Sequence, residues 1–191
     1  STHCISSAAS DVYKRQTQAR RLADLLTTPT FRLYASDDPT GVQVGGAAKN
    51  VVAIAAGATI GAKLGENARA ALITRSIAEL SRLSHALGGR PETLSGLAGI
   101  GDLLLTCTGA ASRNYRLGLA IGQGTPAQQA ADALEGVAEG RATAPALLLL
   151  ARQHGVSTPV IATVASLLAG TIDMEDASQL LLSRPVGHEF A

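Results

Sequence analysis

The chain is 191 residues long, enough for one sizeable domain or for one domain with a remnant of another. Hydrophobic residues make up 46% of it but aromatics only 3%, with no Trp, so the core must be assembled from Ala, Leu, Ile and Val, which favours closely packed helices. A net charge of +1 with scattered Lys and Arg argues against a nucleic-acid binder, and two cysteines, Cys4 and Cys107, with no CxxC or Cys/His spacing offer neither a disulfide framework nor a metal site.

A reducing cytoplasm is the expected compartment, and the N-terminus has no charged-then-apolar targeting pattern. Residues 1–16 are polar and aperiodic, and are expected to be a disordered or foreign leader. Residues 17–40 then hold a short helical pattern, Arg20 to Leu26, followed by Phe31-Arg-Leu-Tyr-Ala35, which alternates like a half-buried strand. From Gly41 onward everything reads as helix punctuated by glycine and proline, so 41–191 is expected to be a mainly α domain.

Its first helix carries Lys49-Asn50 within a run of tiny and aliphatic residues from Gly41 to Gly57. A lysine without polar neighbours has its charged form disfavoured and can serve as a general base. The competing structural reading lays its stem on the apolar face and lets the ammonium reach water. Glu66 to Leu87 sets Ile73, Ile77, Leu80 and Leu87 on one stripe, with Arg75 and Glu79 expected to pair at i,i+4 and Gly88-Gly89 and Pro91 ending the helix.

Gly99-Ile-Gly-Asp102 places a carboxylate after two glycines, where the backbone leaves room to reach a ligand hydroxyl or a lysine; a plain helix cap is the alternative. Ser112 reads as an N-cap that puts Arg113 and Asn114 in a first helical turn suited to an anion, unless Arg113 is simply a solvated side chain. Gly122-Gln-Gly-Thr-Pro-Ala127 has the letters of a dinucleotide fingerprint, but a helix rather than a strand precedes it, so it reads as a helix end and a turn. Thr125-Pro126 and Thr158-Pro159 each read as an N-cap followed by the first helical residue, and Asp173 with Asp176 as the cap of the last helix. The uncharged stretch Gly155 to Thr171 is expected to be a buried helix rather than a membrane span.

Several of these segments together resemble one family. Gly41-Val-Gln-Val-Gly-Gly-Ala-Ala-Lys-Asn50, Asn67-Ala-Arg-Ala-Ala-Leu-Ile-Thr-Arg75, Gly99-Ile-Gly-Asp-Leu103, Leu105-Thr-Cys-Thr108, Ser112-Arg-Asn114 and Val137-Ala-Glu-Gly140 look like the C-terminal half of bacterial-type NAD(P)-dependent glycerol-3-phosphate dehydrogenase, in order and at matching spacing, from about Phe31 to about Ser183. The resemblance implies a multi-helix C-terminal domain of the 6-phosphogluconate dehydrogenase-like type, with residues 17–40 the remnant of an α/β Rossmann domain. Carried over by position, it makes Lys49 the proton acceptor and catalytic residue, with Lys49, Asp102, Ser112, Arg113 and Asn114 binding substrate. Arg113, Val137 and Glu139 would touch NAD or NADP. Arg141 stands where the family often has an aromatic residue.

The implied reaction is the interconversion of sn-glycerol 3-phosphate and dihydroxyacetone phosphate at the entry to glycerophospholipid synthesis, with Lys49 handling the hydroxyl proton and Asn50 orienting either the lysine or the hydroxyl. The family's phosphate-binding glycine loop has no counterpart here, so this chain alone is expected to be inactive and to bind cofactor weakly. The alternatives are a related dehydrogenase for another hydroxy substrate, and a non-catalytic helical interaction module. The expected partner is a small phosphorylated substrate, with no nucleic acid and no membrane span; NADH or NADPH preference and oligomeric state stay open, a homodimer included.

Overall fold

The computed structural model describes residues 16–182, so the expected leader lies almost entirely outside the described residues. Ten α-helices and one π-helical turn make up the described architecture: α1 (Gln16–Leu26), α2 (Pro39–Gly61), α3 (Glu66–Ala86), α4 (Pro91–Leu94), the π turn (Leu97–Gly101), α5 (Asp102–Thr108), α6 (Arg113–Gly122), α7 (Ala127–Asp132), α8 (Gly140–Gln153), α9 (Pro159–Ala169) and α10 (Met174–Leu182).

The axis of the bundle is α2, whose residues from Val51 to Ala56 are all buried. Asp38 starts it: the carboxylate accepts the Gly41 amide at 2.9 Å, and Pro39 follows as the first helical residue. The other oxygen of Asp38 accepts from the Arg90 amide at 2.8 Å and the Thr93 hydroxyl at 2.6 Å, tying the head of α2 to the α3–α4 connection. The helix begins two residues before the expected Gly41 because this cap lies upstream. By length and hydropathy α2 could cross a bilayer, yet 72% of its apolar window is buried within the bundle.

Backbone rather than side chain decides how α6 crosses α2. A Cβ on Gly118 would lie 1.9 Å from the Ile54 carbonyl oxygen, and one on Gly122 2.2 Å from that of Ala58. Reciprocally, a Cβ on Gly57 would lie 2.1 Å from the Tyr115 carbonyl oxygen and one on Gly61 2.2 Å from that of Leu119. Two glycines four residues apart on each helix therefore let the backbones meet, and Gly122 is a packing residue at a helix end, followed by the turn at Gly124. Around this contact lie Ile54, Leu80, Leu83, Leu117, Ile161 and Val164, an aliphatic core as the composition required.

Several local expectations are corrected. Phe31 to Ala35 is not a strand: only an isolated bridge joins Thr28 and Phe31, and residues 31–35 are exposed, because no neighbouring strand among the described residues offers a ladder to join. Arg75 and Glu79 do not pair. The Arg75 guanidinium donates to the Leu181 carbonyl at 3.2 Å, while Glu79, 2% exposed, turns inward and accepts the Val160 amide on both oxygens at 2.9 and 3.0 Å. Glu79 thus caps α9, and Thr158, in the cap position, makes no side-chain cap bond. Pro126, extended at ψ 138°, is itself the cap position of α7, one residue later than expected. At α10 the cap is as expected, with Asp173 accepting the Asp176 amide at 2.9 Å.

Candidate active site

Lys49 leaves α2 towards Asp102, the first residue of α5, and the ammonium and carboxylate form a short, hydrogen-bonded ion pair. The side chains are 27% and 40% exposed, so the pair stands at a water-accessible rim. Lys49 is therefore not the unpartnered lysine in apolar surroundings that the sequence suggested: the bundle supplies its counter-charge from fifty-three residues away. Asp102 reaches it because the π turn folds tightly beneath. A Cβ on Gly99 would collide with the Leu94 carbonyl at 2.1 Å, and the Asp102 amide donates to the Gly99 carbonyl while its side chain bonds Lys49. Thr106 anchors the same turn by donating to the Asp102 carbonyl at 2.6 Å.

The next residue on α2, Asn50, has different partners. Asn114, 7% exposed on α6, donates from Nδ2 to Asn50 Oδ1 at 3.0 Å and accepts the Gly140 amide on Oδ1 at 2.9 Å. Asn50 Nδ2 donates to Glu139 Oε2 at 3.4 Å. These bonds join α2, α6 and the head of α8, and they need a glycine at 140, where a Cβ would lie 2.6 Å from the Asn50 carbonyl oxygen and 2.9 Å from Asn114 Oδ1.

Ser112 caps α6, accepting the Tyr115 amide at 3.2 Å, and the first-turn amides of Arg113 and Asn114 have no intrahelical acceptor. Arg113 is exposed and lies along Gly136, where a Cβ would sit 2.5 Å from Nη1, next to the exposed Val137. The structure thus brings Lys49 to Asp102 and, from the adjacent Asn50, links Asn114 to Glu139, with Ser112 and Arg113 immediately preceding Asn114 in the chain. Ser112 and Lys49 are not hydrogen-bonded to each other. Arg141 bonds to Gln128 on α7 through its guanidinium.

What this rim can do is bind an anion and move a proton. An Arg fork, two free helix-start amides and an ammonium suit a phosphate ester, and a lysine fixed by a carboxylate can exchange a proton with a nearby hydroxyl. Cys107, buried beneath, is no nucleophile: burial pushes its thiol up to about 12, offset only in part by Arg69. An apolar cavity of about 330 Å³ between α2, α3, α9 and α10 shares no residue with this cluster, and its only charged lining residue is Arg75. Asn50, expected to orient the lysine or the hydroxyl, bonds Asn114 and Glu139, and the close approach that requires Gly140 had no signal beyond its place in the Val137–Gly140 motif.

Comparison with known proteins gives one consistent answer. Residues 38–179 match the family model described as NAD-dependent glycerol-3-phosphate dehydrogenase C-terminus. The glycerol-3-phosphate dehydrogenase (NAD(P)+) of Gluconobacter oxydans is 59% identical over 171 residues, which are 90% of this chain and 53% of that protein. That of Novosphingobium aromaticivorans is 51% identical over 88% of this chain and 51% of its own length. The crystal structure of glycerol-3-phosphate dehydrogenase from Coxiella burnetii superposes with a TM-score of 0.83 at 43% identity, covering 88% of this chain and 52% of that one. The yeast enzyme from Saccharomyces cerevisiae does so at 0.76 and 26% identity, over 85% and 48%. The chain spans about half the length of the curated relatives it matches.

Proposed function

Because the chain belongs to the family of the NAD-dependent glycerol-3-phosphate dehydrogenase C-terminus, we propose that it forms the helical substrate half of an enzyme interconverting sn-glycerol 3-phosphate and dihydroxyacetone phosphate. In this reading 41–191 is the substrate domain and 17–40 the end of a nucleotide-binding domain. A cytoplasmic setting and a role in supplying glycerophospholipid synthesis go with it. The single observation that carries the reading is the Lys49–Asp102 pair, set one residue from the Asn50–Asn114–Glu139 network.

The chemistry follows from that arrangement. Bound NAD(P) supplies the hydride acceptor, and Arg113, Val137 and Glu139 offer it a guanidinium, an exposed apolar side chain and a carboxylate on one segment of wall. Arg113 and the free amides at the start of α6 hold the phosphate, which fixes the substrate carbons relative to Lys49. During reduction of the ketone, the Lys49 ammonium, oriented by Asp102, donates its proton to the oxygen that becomes the C2 hydroxyl. During oxidation the neutral amine takes that proton back. Asp102 acts by orienting Lys49.

The test uses a full-length dehydrogenase carrying these residues, followed by glycerol 3-phosphate-dependent reduction of NAD+ and NADP+. Turnover that vanishes in Lys49→Ala supports the proposal, and a parent protein with no such turnover sinks it. The 191-residue chain titrated with NADH in a calorimeter should show weak binding or none; micromolar affinity would require a nucleotide site within this chain.

A further inference from the structure

We propose that Asn50 is a positioning residue, which ties the carboxylate of Glu139 on the cofactor side to the amide of Asn114 on the substrate side and fixes both relative to Lys49. The inference deepens the function proposed above and rests on it.

The direction of every bond in the network is set by one backbone group. The Gly140 N–H can only donate, so Asn114 must present Oδ1 to it, at 2.9 Å. That leaves Asn114 Nδ2 to donate to Asn50 at 3.0 Å, which obliges Asn50 to present Oδ1 there and aim Nδ2 at Glu139 Oε2, at 3.4 Å. The array closes on itself, because Glu139 and Gly140 are consecutive. Position 139 must therefore be an acceptor, as an ionised carboxylate is, and position 50 must be both donor and acceptor.

Few side chains meet that requirement. Asp offers no donor to Glu139, Ser has one atom for two partners, and Gln is a methylene longer in a place where the Asn50 carbonyl and Asn114 Oδ1 already crowd Gly140. Burial raises the stakes, since Asn114 is 7% exposed and a mismatched amide there has little water to turn to. Asn50 is also covalently adjacent to Lys49. Any displacement of Glu139 is passed through its hydrogen bond with Asn50, and a second time through Gly140 and Asn114, to the stretch of α2 that carries the proposed base, so the cofactor wall and the proton-transfer group are held in one frame.

The experiment reverses the polarity of one bond in a full-length dehydrogenase carrying these residues, reading NADH dissociation by fluorescence titration together with KM and kcat for glycerol 3-phosphate oxidation. Asn50→Asp keeps the bond from Asn114 but sets two carboxylates face to face. It should weaken NADH binding at least about tenfold while the thermal midpoint moves little. Adding Glu139→Gln restores a donor–acceptor pair of opposite sense, and NADH binding in the double variant should be at least about threefold tighter than in Asn50→Asp alone. Asn50→Ala provides a second, uncharged variant should the first fail to fold, with weakened NADH binding again expected. NADH affinity within about twofold of the parent in either folded single variant, or a double variant no better than the sum of its parts, overturns the inference. A parent that binds NADH but oxidises no glycerol 3-phosphate would count against the proposed reaction, while the titrations would still decide the role of Asn50.

Discussion

Lys49 and Asp102 meet as an ion pair across fifty-three residues, one from the middle of the central helix and the other from the head of a seven-residue helix. Half-exposed pairs of this kind add little to stability, so the tight π turn that delivers Asp102 is better understood as orienting an ammonium than as holding the bundle together. Gly99, wedged against Leu94, is the structural cost of that delivery.

Lys49→Ala should accordingly leave the fold intact and reduce turnover of a full-length enzyme by at least about a hundredfold. Lys49→Arg should not restore it. An arginine can keep the contact with Asp102 and can still attract the substrate oxygen, but it holds its proton at any working pH. Steady-state rates in both directions check this, and near-parental turnover in Lys49→Arg would confine Lys49 to binding.

Arg113 is exposed, with its guanidinium along Gly136 beside the helix start that Ser112 caps. Arg113→Ala should weaken apparent transition-state binding of glycerol 3-phosphate by about 2–4 kcal/mol and leave the slow oxidation of unphosphorylated glycerol far less affected. Comparison of kcat/KM for the two substrates is the measurement. Equal losses would remove Arg113 from the phosphate site.

The sequence revealed local signals well and partner choice poorly. Apolar periodicity located the helix of Glu66 to Leu87 within a residue, and the Ser112 and Asp173 caps form as their spacing implied. Glu79 shows the limit: a carboxylate at i+4 from Arg75 looks like half of a surface pair, yet it is buried as the cap of α9, eighty-one residues on. Intrahelical spacing says who can meet, whereas burial decides who does. Phe31 to Ala35 fails as a strand for a related reason, since alternation describes a face and a sheet needs neighbours. Asp102 was legible as a carboxylate free to reach a hydroxyl or a lysine; that the lysine is Lys49 depends on how α5 docks on α2.

The glycine contact between α2 and α6 gives a stability prediction with its own control. Gly118→Ala must push a methyl into the Ile54 carbonyl and should cost at least about 1–3 kcal/mol by urea unfolding. Gly46→Ala, in the same central helix but with open space around its Cβ position, should be neutral or gain about 0.5–1 kcal/mol from helix propensity. Similar effects at both positions would mean that the backbone contact does not govern the packing.

Asp38 gives the pH prediction. Burial pushes its carboxyl up, but the Thr93 hydroxyl and the Gly41 and Arg90 amides outweigh that and hold it below its ordinary value. A carboxylate depressed in the folded state binds its proton more readily when unfolded, so its stabilisation is fully present above the unfolded value, near pH 4, and is lost as pH falls through the lower folded value. Asp38→Asn keeps the size but turns an N–H towards one of the donors that the carboxylate satisfied. At pH 7 it should cost about 1–3 kcal/mol, because a helix cap and two further charge-assisted bonds are compromised together. As pH falls below about 4 the unfolded chain takes up this proton before the folded one does, so the advantage of the charged parent shrinks and the gap between parent and variant should narrow. Urea unfolding of both proteins at the two pH values measures this directly, and a gap that stays constant or widens in acid would show that the Asp38 charge is not what secures the head of α2 to the Arg90 loop.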